Sequence, residues 1–215
     1  MIYDFLNPQH ALIWRIVHCD NMYWLIQNGL HCANTTVKSN NWVTIGDAEL
    51  IDRRSTRQVP IGSEGTLSDY VPFYFTPFSP MFYKIYTGHG DITKVKNEDI
   101  VILVDSLHDL KASDVDFVFT DRHAYIRYAN FYKDLEYLNN IDWHILQRCD
   151  FKRDNNNPQK VERYQAEALI YQHHSIEQLK AIVCYNEAVQ SKIQGWLNQY
   201  SLTVPVLVRS EWYFR

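Results

Sequence analysis

The hydrophobic and polar positions of this 215-residue chain separate into short apolar runs and longer, more polar segments. The runs are rich in β-branched and aromatic residues, which favour strands because they fit a pleated, half-buried surface. The predicted strands are 13–18, 71–75, 98–105, 117–119, 165–171, 181–185 and 204–208. Several of the polar segments begin at Asp or Asn, which favours helices. The predicted helices are 20–28, 47–57, 81–87, 124–138, 142–148, 175–180 and 186–200.

The order of these elements indicates the fold class. Strands and helices are interspersed without the strict alternation that parallel sheets require, which predicts an α+β protein with a mixed or mostly antiparallel sheet. The length suits one domain, 1–215, and the chain shows neither an internal repeat nor a low-complexity linker. A polar, turn-rich stretch at 34–41 precedes the helix predicted from Asp47.

The segment from Asp69 to Met81 is dense in aromatic residues and prolines. It holds five aromatics and three prolines in thirteen residues, too rigid for a helix interior and too interrupted for a central strand. One interpretation is an edge strand whose rings fill the core, which burial statistics favour. The other is a set of rings on a stiff backbone, suited to stacking on bases or on a nicotinamide.

Composition and charge narrow the classes of function. A net charge of −4 argues against coating nucleic acid through bulk electrostatics, so any DNA binding requires a local basic patch. The four cysteines are far apart and include no C-x-x-C pair, which is typical of reduced thiols and gives no zinc pattern. No histidine pattern suggests a metal site. No leader or membrane-length apolar run is apparent, so we expect a cytoplasmic protein without a membrane partner.

One carboxylate interrupts the apolar run of the strand predicted at 165–171. Glu167 lies between Ala166 and Ala168 and precedes Leu169. A glutamate in such a strand is either an edge residue facing water or a cleft residue with a specific partner, because burying an unpaired carboxylate is costly. In the second interpretation the two alanines occupy the opposite strand face.

Two further groups of polar residues have a structural and a functional interpretation. Arg53, Arg54 and Arg57 form either a solvated helix face with a Glu49–Arg53 ion pair or a guanidinium site for phosphates. The segment 120–123 is either the capped start of the helix 124–138, with Thr120 or Asp121 as N-cap, or part of a binding groove. The run 14–18 is equally consistent with an ordinary buried strand.

Several strings together resemble the DarT family of DNA ADP-ribosyltransferase toxins. The specific ones are DYVPFYF with SPM in 69–81, and FVFTDRH in 117–123. They are joined by IDRRSTRQVP at 51–60, RYQAEALIY at 163–171 and SEWY at 210–213. The likeness runs in order from about residue 12 to residue 213 and so spans nearly the whole chain.

The resemblance implies an ADP-ribosyltransferase α+β fold with a split, mostly antiparallel central sheet around an NAD cleft. The implied reaction is transfer of ADP-ribose from NAD to a base of single-stranded DNA, with release of nicotinamide and no metal. In the better-known branch of the family the base is thymine, and the enzyme is a toxin controlled by a macrodomain antitoxin. The alternatives are a guanine-modifying relative and a catalytically inactive DNA-binding module.

The resemblance also implies roles for individual residues. Glu167 would hydrogen-bond the nicotinamide ribose and stabilise the oxocarbenium-like charge, and Arg54 would reach the active site. The implied NAD-binding residues are Trp14, Arg15, Val17, His18, Asn21 and Arg54, beneath a covering element at about 34–60. The implied DNA-binding residues are Tyr74, Met81, Arg122, His123 and Arg163. Arg15 departs from members that carry histidine there, which affects the side-chain contact to the adenosine ribose.

Overall fold

The structure, a computed structural model, describes residues 2–90 and 92–215. Within these ranges the strands are β1 (Leu12–His18), β2 (Leu30–His31), β3 (Tyr70–Tyr74), β4 (Ile100–Ser106), β5 (Phe117–Thr120), β6 (Phe131–Tyr132), β7 (Glu167–Tyr171), β8 (His173–His174), β9 (Ala181–Cys184) and β10 (Val206–Val208). The α-helices are α1 (Met22–Asn28), α2 (Ala48–Arg54), α3 (Pro80–Thr87), α4 (Leu107–Ala112), α5 (Trp143–Gln147), α6 (Lys160–Tyr164) and α7 (Glu187–Gln199). Short 3-10 helices occupy Cys19–Asn21, Leu67–Asp69, Asn97–Asp99, Leu135–Asn140, Ile176–Gln178 and Ser210–Trp212.

Eight strands form the main sheet in the order β10-β9-β4-β1-β3-β7-β5-β6, and β2 pairs with β8 in a small second sheet. Among the described strand pairs, β9 with β10 is parallel and the others are antiparallel. The predicted α+β class with a mostly antiparallel sheet is therefore confirmed. The main core contains β1, β3, β4, β7 and β9 together with the buried faces of α1, α3 and α7.

The main sheet is split between β1 and β3. β1 pairs with β4 along its full length, whereas its register with β3 consists of the single pair Trp14–Tyr74. Pro72 lies in the part of β3 that does not pair with β1, and its carbonyl accepts a hydrogen bond from the Arg15 side chain at 2.8 Å. Proline has no N–H to donate to a neighbouring strand, so β3 tolerates Pro72 at this position, where β1 does not pair with it. The split therefore opens the sheet beside Arg15 and Pro72.

The aromatic segment mostly fills the core. Phe73, Phe75 and Phe78 are buried and, within the described residues, line none of the cavities, which confirms the core interpretation for these three rings and makes the stacking interpretation wrong for them. Tyr70 is also buried but contributes to the wall of a cavity described below. β3 is nevertheless not an edge strand, because β7 pairs along its whole length on the other side. Tyr74 is the partly exposed ring of the segment.

The helix predicted at 124–138 is wrong. These residues form turns, the short strand β6 and the start of a 3-10 helix, because tertiary partners replace the helical hydrogen bonds. Asp121 accepts from the backbone N–H of Asn130 at 3.1 Å, and Arg57 donates to the carbonyls of Ala124 and Ile126. Asp121 therefore closes a loop and does not cap a helix.

Other boundaries shift by a few residues. Helix 47–57 is shorter and ends at Arg54, with Asp47 as its N-cap. The turn before α1 is a 3-10 helix capped by His18, so Asp20 is not the cap that the sequence suggested. Gly29 ends α1 with a φ of 77°, and a Cβ there would lie 2.9 Å from the backbone carbonyl oxygen of His174, so both the backbone conformation and the available space favour glycine.

Candidate active site

Glu167 is the first residue of β7 and lies opposite Tyr74 of β3, next to the split in the sheet. β7 is a central strand between β3 and β5, and Glu167 is 0% exposed. The interpretation of Glu167 as an edge-strand carboxylate facing water is therefore wrong. Burial of a carboxylate requires charged or hydrogen-bonding partners, and the side chain has several.

The Glu167 carboxylate has a partner on each oxygen. Arg54 Nη1 donates to Oε2 at 2.8 Å, and the backbone N–H of Ala124 donates to Oε1 at 2.9 Å. Nδ1 of His123 lies 3.3 Å from Oε1. The strand end itself is fixed because the Glu167 backbone N–H donates to Thr120 Oγ1 at 3.1 Å. A carboxylate accepts about four hydrogen bonds, so lone pairs remain for a substrate hydroxyl.

These partners keep Glu167 ionised. Burial acts to raise the pKa of Glu167, but the charge of Arg54, the neighbouring His123 and the Ala124 N–H outweigh burial and lower the pKa below its usual value. At neutral pH the group is a fixed carboxylate in a dry site. Such a group is preorganised to stabilise positive charge, since it does not reorganise during a reaction.

His123 is neutral at neutral pH. Burial lowers its pKa, while Glu167 opposes this shift and Arg54 adds to it. His123 Nδ1 lies 3.2 Å from the backbone nitrogen of Tyr125 and 3.3 Å from Glu167 Oε1. The strongest counter-charge to Glu167 is therefore Arg54.

The three arginines of the 51–60 segment have different surroundings. Arg54 points inward to Glu167 and is 12% exposed, whereas Arg53 points outward and pairs with Glu49, one helical turn away. Arg57 donates to backbone carbonyls of the 124–127 turn and lies over the ring of Phe131. The solvated-face interpretation thus holds for Arg53 alone.

Arg15 and Arg54 form a pair of guanidinium groups at the split. Burial, and next the nearby charge of Arg54, lower the pKa of Arg15 to about 10. Within the described residues, Nε of Arg15 and Nη2 of Arg54 are buried without a hydrogen-bond partner. Two like charges with unused donors are unfavourable without an acceptor, so this position suits an anion such as a pyrophosphate.

Two cavities adjoin this arginine pair, and Arg15, Arg54 and Pro72 line both. The larger cavity has a volume of about 350 Å³ and the smaller about 190 Å³. Side chains that line the larger cavity include Trp24, Leu30, His31, Val37, Trp42 and Ile51. Residues that line the smaller cavity include Val17, His18, Asn21, Tyr74 and Met81. The smaller cavity therefore brings together predicted NAD-binding and DNA-binding residues.

Some predicted residues have structural contacts of their own. The Trp14 side chain lies in the core against Phe5 and Trp212, and its backbone is in register with both β3 and β4. His18 Nδ1 accepts from the N–H of Asp20 at 3.2 Å and is a local cap. Asn21 is bonded to a distant segment through two hydrogen bonds with the backbone of residue 43. Its amide thereby joins the predicted covering element to the end of β1.

Arg122 and Arg163 lie outside both cavities. Arg122 is held by Asp121, with Nε 3.2 Å from Oδ1, and its guanidinium lies 5.0 Å from the centroid of the Tyr128 ring. Arg163 Nε donates to Asp142 Oδ2 at 3.0 Å. Of the predicted DNA-binding residues, the structure thus places Tyr74 and Met81 in the smaller cavity and His123 beside Glu167.

Sequence reasoning missed the backbone N–H of Ala124 and the side chain of Trp42. The first was missed because residues 124–138 were assigned to a helix. The second has a visible signal, a tryptophan in the polar stretch before α2, and it lines both cavities. Among the described residues no group of three metal-ligating side chains occurs, and no helix is long and apolar enough to cross a membrane.

The geometry agrees with comparisons to known proteins. The family model for the ssDNA thymidine ADP-ribosyltransferase DarT matches residues 14–214. The chain belongs to the DarT family. A DNA ADP-ribosyl transferase from Escherichia coli O127:H6 (strain E2348/69 / EPEC) is 55% identical over 217 residues, which cover 100% of both chains.

Solved DarT structures are similar along the whole fold. Thermus sp. 2.9 DarT in complex with ADP-ribosylated ssDNA has a TM-score of 0.88 at 31% identity, and the match covers 100% of both chains. The same protein in complex with NAD+ has a TM-score of 0.84 at 30% identity, covering 97% of this chain and 100% of that chain. The predicted family, the fold class, the NAD-dependent DNA ADP-ribosyltransferase class and NAD as co-substrate are confirmed. The roles of individual residues and the boundaries 1–215 and 34–60 stay predictions.

Proposed function

We propose that this DarT-family enzyme transfers ADP-ribose from NAD to thymine in single-stranded DNA. The observation that carries the proposal is the buried cluster of Glu167, Arg54 and His123 at the split of the sheet, next to a cavity that Tyr74 and Met81 line. A dry carboxylate and an inward-facing guanidinium are the charges that this reaction requires.

NAD fits the pair of cavities through its charges and its shape. The unused donors of Arg15 and Arg54 lie where both cavities meet, so we assign them to the pyrophosphate. Arg15 presents guanidinium donors where other members carry an imidazole. The predicted covering element supplies Trp42 to both cavities, which gives an apolar wall for a planar ring.

In the proposed reaction the bond between C1′ of the ribose and the nicotinamide nitrogen breaks, and its electron pair leaves with nicotinamide. Glu167 accepts a hydrogen bond from a ribose hydroxyl and stabilises the positive charge that develops on the ribose. A ring nitrogen of the base then attacks C1′ and loses its proton to solvent. Arg54 stabilises the negative charge on the base as that proton leaves.

The choice of thymine follows the family description, and Thermus sp. 2.9 DarT in complex with ADP-ribosylated ssDNA supports single-stranded DNA as the substrate. A guanine-modifying enzyme is the alternative that the same cluster allows. A catalytically inactive DNA-binding module is disfavoured, because it has no use for a buried Glu167–Arg54 ion pair, which is expensive to bury.

The proposed biological role is that of a bacterial toxin whose mark on DNA blocks replication in the cytoplasm. A macrodomain antitoxin that removes the ADP-ribose is the proposed partner. The resemblance to toxin–antitoxin enzymes supports both statements.

The experiment is incubation of the full chain with labelled NAD and short oligonucleotides that differ at one base. Transfer of the label to the thymine-containing strand alone is the expected result, and Glu167→Gln serves as the control that should not transfer. Transfer to a guanine-containing strand would replace thymine by guanine. DNA binding with no transfer at all would overturn the enzymatic proposal in favour of the binding module.

A further inference from the structure

A third cavity, of about 890 Å³, adjoins the smaller active-site cavity. The two share the lining residues His18 and 43–47, so they are continuous along one wall. Four cationic side chains line this third cavity, Lys84, Lys94, Lys96 and Arg153, and we call it the basic groove. These four side chains are exposed to solvent and accessible to a macromolecule.

Helix α3 connects the active site to the basic groove. Met81 lines the smaller cavity and Lys84 lines the groove. Residues three apart lie on one helix face, separated by about 4.5 Å along the axis. The charge of Lys84 is also one of the causes that lower the pKa of His123, which places this ammonium in the electrostatic range of the active site.

The positive charge of the groove is not neutralised by ion pairs. Within the described residues none of its four cations has a carboxylate within 4.0 Å, whereas Lys133, Lys160, Lys180 and Lys192 each have one. Among the described acidic residues that line the groove, Glu49 pairs with Arg53, whereas Asp47 and Asp99 keep their charges, so four cations face two unpaired carboxylates. The groove is therefore a local excess of positive charge on a chain with a net charge of −4.

We propose that the basic groove binds the phosphates of the DNA strand on one side of the reacting base. This inference rests on the proposed function, because it takes the base at Tyr74 and Met81 as its starting point. A strand that leaves the smaller cavity along α3 meets Lys84 first and then the remaining cations. The pyrophosphate of NAD has its own donors at Arg15 and Arg54, so the groove is available for the DNA backbone.

The first test compares Lys84→Gln and Arg153→Gln with Lys111→Gln, an exposed cation on α4 that lines none of the three cavities. We expect KM for a long single-stranded oligonucleotide to rise about tenfold in each groove variant, as for the loss of one charge-assisted phosphate contact. KM for NAD should stay unchanged in the groove variants. The Lys111→Gln enzyme should keep the wild-type KM for the oligonucleotide. The negative slope of log kcat/KM against log salt concentration should become shallower by about 0.7 for each removed contact.

The second test neutralises the DNA instead of the protein. Methylphosphonate linkages placed on one side of the reactive base should raise KM for the wild-type enzyme, and Lys84→Gln should add no further loss on that substrate. The same linkages on the other side should leave the effect of Lys84→Gln intact. A rise in KM for NAD would assign the groove to NAD, and unchanged kinetics for all variants would exclude a phosphate site; either result overturns the inference. If the wild-type enzyme labels no oligonucleotide, the proposed function itself fails.

Discussion

Arg54 and Glu167 are 113 residues apart in the chain, yet Arg54 Nη1 donates to Glu167 Oε2 at 2.8 Å inside the split sheet. Glu167 is the first residue of a central strand and Arg54 is the last residue of the short helix α2. The ion pair therefore fixes the helix of the predicted covering element against the sheet. Loss of either partner leaves the other charge buried, so both stability and activity depend on it.

Glu167→Gln should reduce transfer of ADP-ribose by about two to three orders of magnitude, because a neutral amide does not stabilise developing positive charge. The single amide oxygen still accepts from the Ala124 N–H but the NH2 group then faces Arg54, so the Gln variant should keep the fold with some loss of stability. Glu167→Ala should lose the same activity and, in addition, about 3 kcal/mol of unfolding free energy, because Arg54 is left buried and unpaired. Label transfer and thermal melting measure the two effects. Near wild-type transfer by the Gln variant would contradict the catalytic assignment.

Arg54→Ala should lose at least about a hundredfold in kcat/KM, which corresponds to one charged hydrogen bond lost from the transition state. Arg53→Ala should stay within about threefold of wild type, because Arg53 makes an exposed ion pair with Glu49 and such pairs contribute little. The two residues are adjacent in the same helix, which makes Arg53 a matched control. Rates are compared at temperatures equally far below each melting point. Equal rates would show that the active-site arginine has been misplaced.

The sequence was sufficient for most elements of the fold because their signals are local. Ser79 before Pro80 starts α3, and the β-branched run before Asp105 forms β4. The error at 124–138 has a non-local cause, since Asp121, Arg57 and Glu167 satisfy the backbone of that segment from other parts of the chain. No window of sequence around 124 contains those partners.

The candidate site divides in the same way. Glu167 was found from its apolar strand and its family context, but its burial required the knowledge that β7 is central. The approach of Arg15 to Arg54 depends on how β1 and α2 meet across the split, which strand periodicity does not encode. Tyr70 and Phe73 were ambiguous for the opposite reason, because a ring in a strand looks alike whether it faces the core or a ligand.

Acid should destabilise the protein in two separate steps. Burial lowers the pKa of His123 in the folded protein below its ordinary value of 6.5. Between the folded pKa and 6.5 the unfolded chain therefore binds a proton that the folded chain does not, and stability falls as the pH drops from about 6.5. The pKa of Glu167 lies below 4.5, so its contribution is present above pH 4.5 and is lost as the pH falls through the folded pKa. Urea unfolding from pH 8 to about pH 2 measures both slopes.

His123→Gln should reduce the first of these steps to the part contributed by His173, whose pKa burial also lowers, while His10→Gln, an exposed histidine, should leave it unchanged. Wild-type stability should fall in acid because the folded protein accommodates the neutral form of His123. A gain of stability in wild type as the pH falls from 7 to 5.5 would mean that His123 is charged in the folded state.

Single-stranded DNA should be modified, whereas the same sequence in a perfect duplex and as RNA should not. The proposed target, a ring nitrogen on the pairing edge of thymine, is hidden in a duplex. Stacking cannot supply the energy of unpairing here. Tyr70, Phe73, Phe75 and Phe78 are buried, and Tyr74 is the ring of the 69–81 segment that lines the smaller cavity. One base–aromatic stack contributes about 1–3 kcal/mol, little more than one base-pair step requires.

Tyr74→Leu provides the matched variant for this prediction. It should raise KM for the single strand about tenfold or more, by loss of that single stack, whereas Tyr200→Leu, an exposed tyrosine after α7, should have no effect. Label transfer is measured on single strand, duplex, RNA and a duplex with the target thymine in a bulge. We expect the bulged duplex to be labelled and the perfect duplex not, since only the first presents a free pairing edge. Equal labelling of perfect duplex and single strand would require an unpairing device that these residues do not provide, and labelling of protein in place of nucleic acid would change the substrate class.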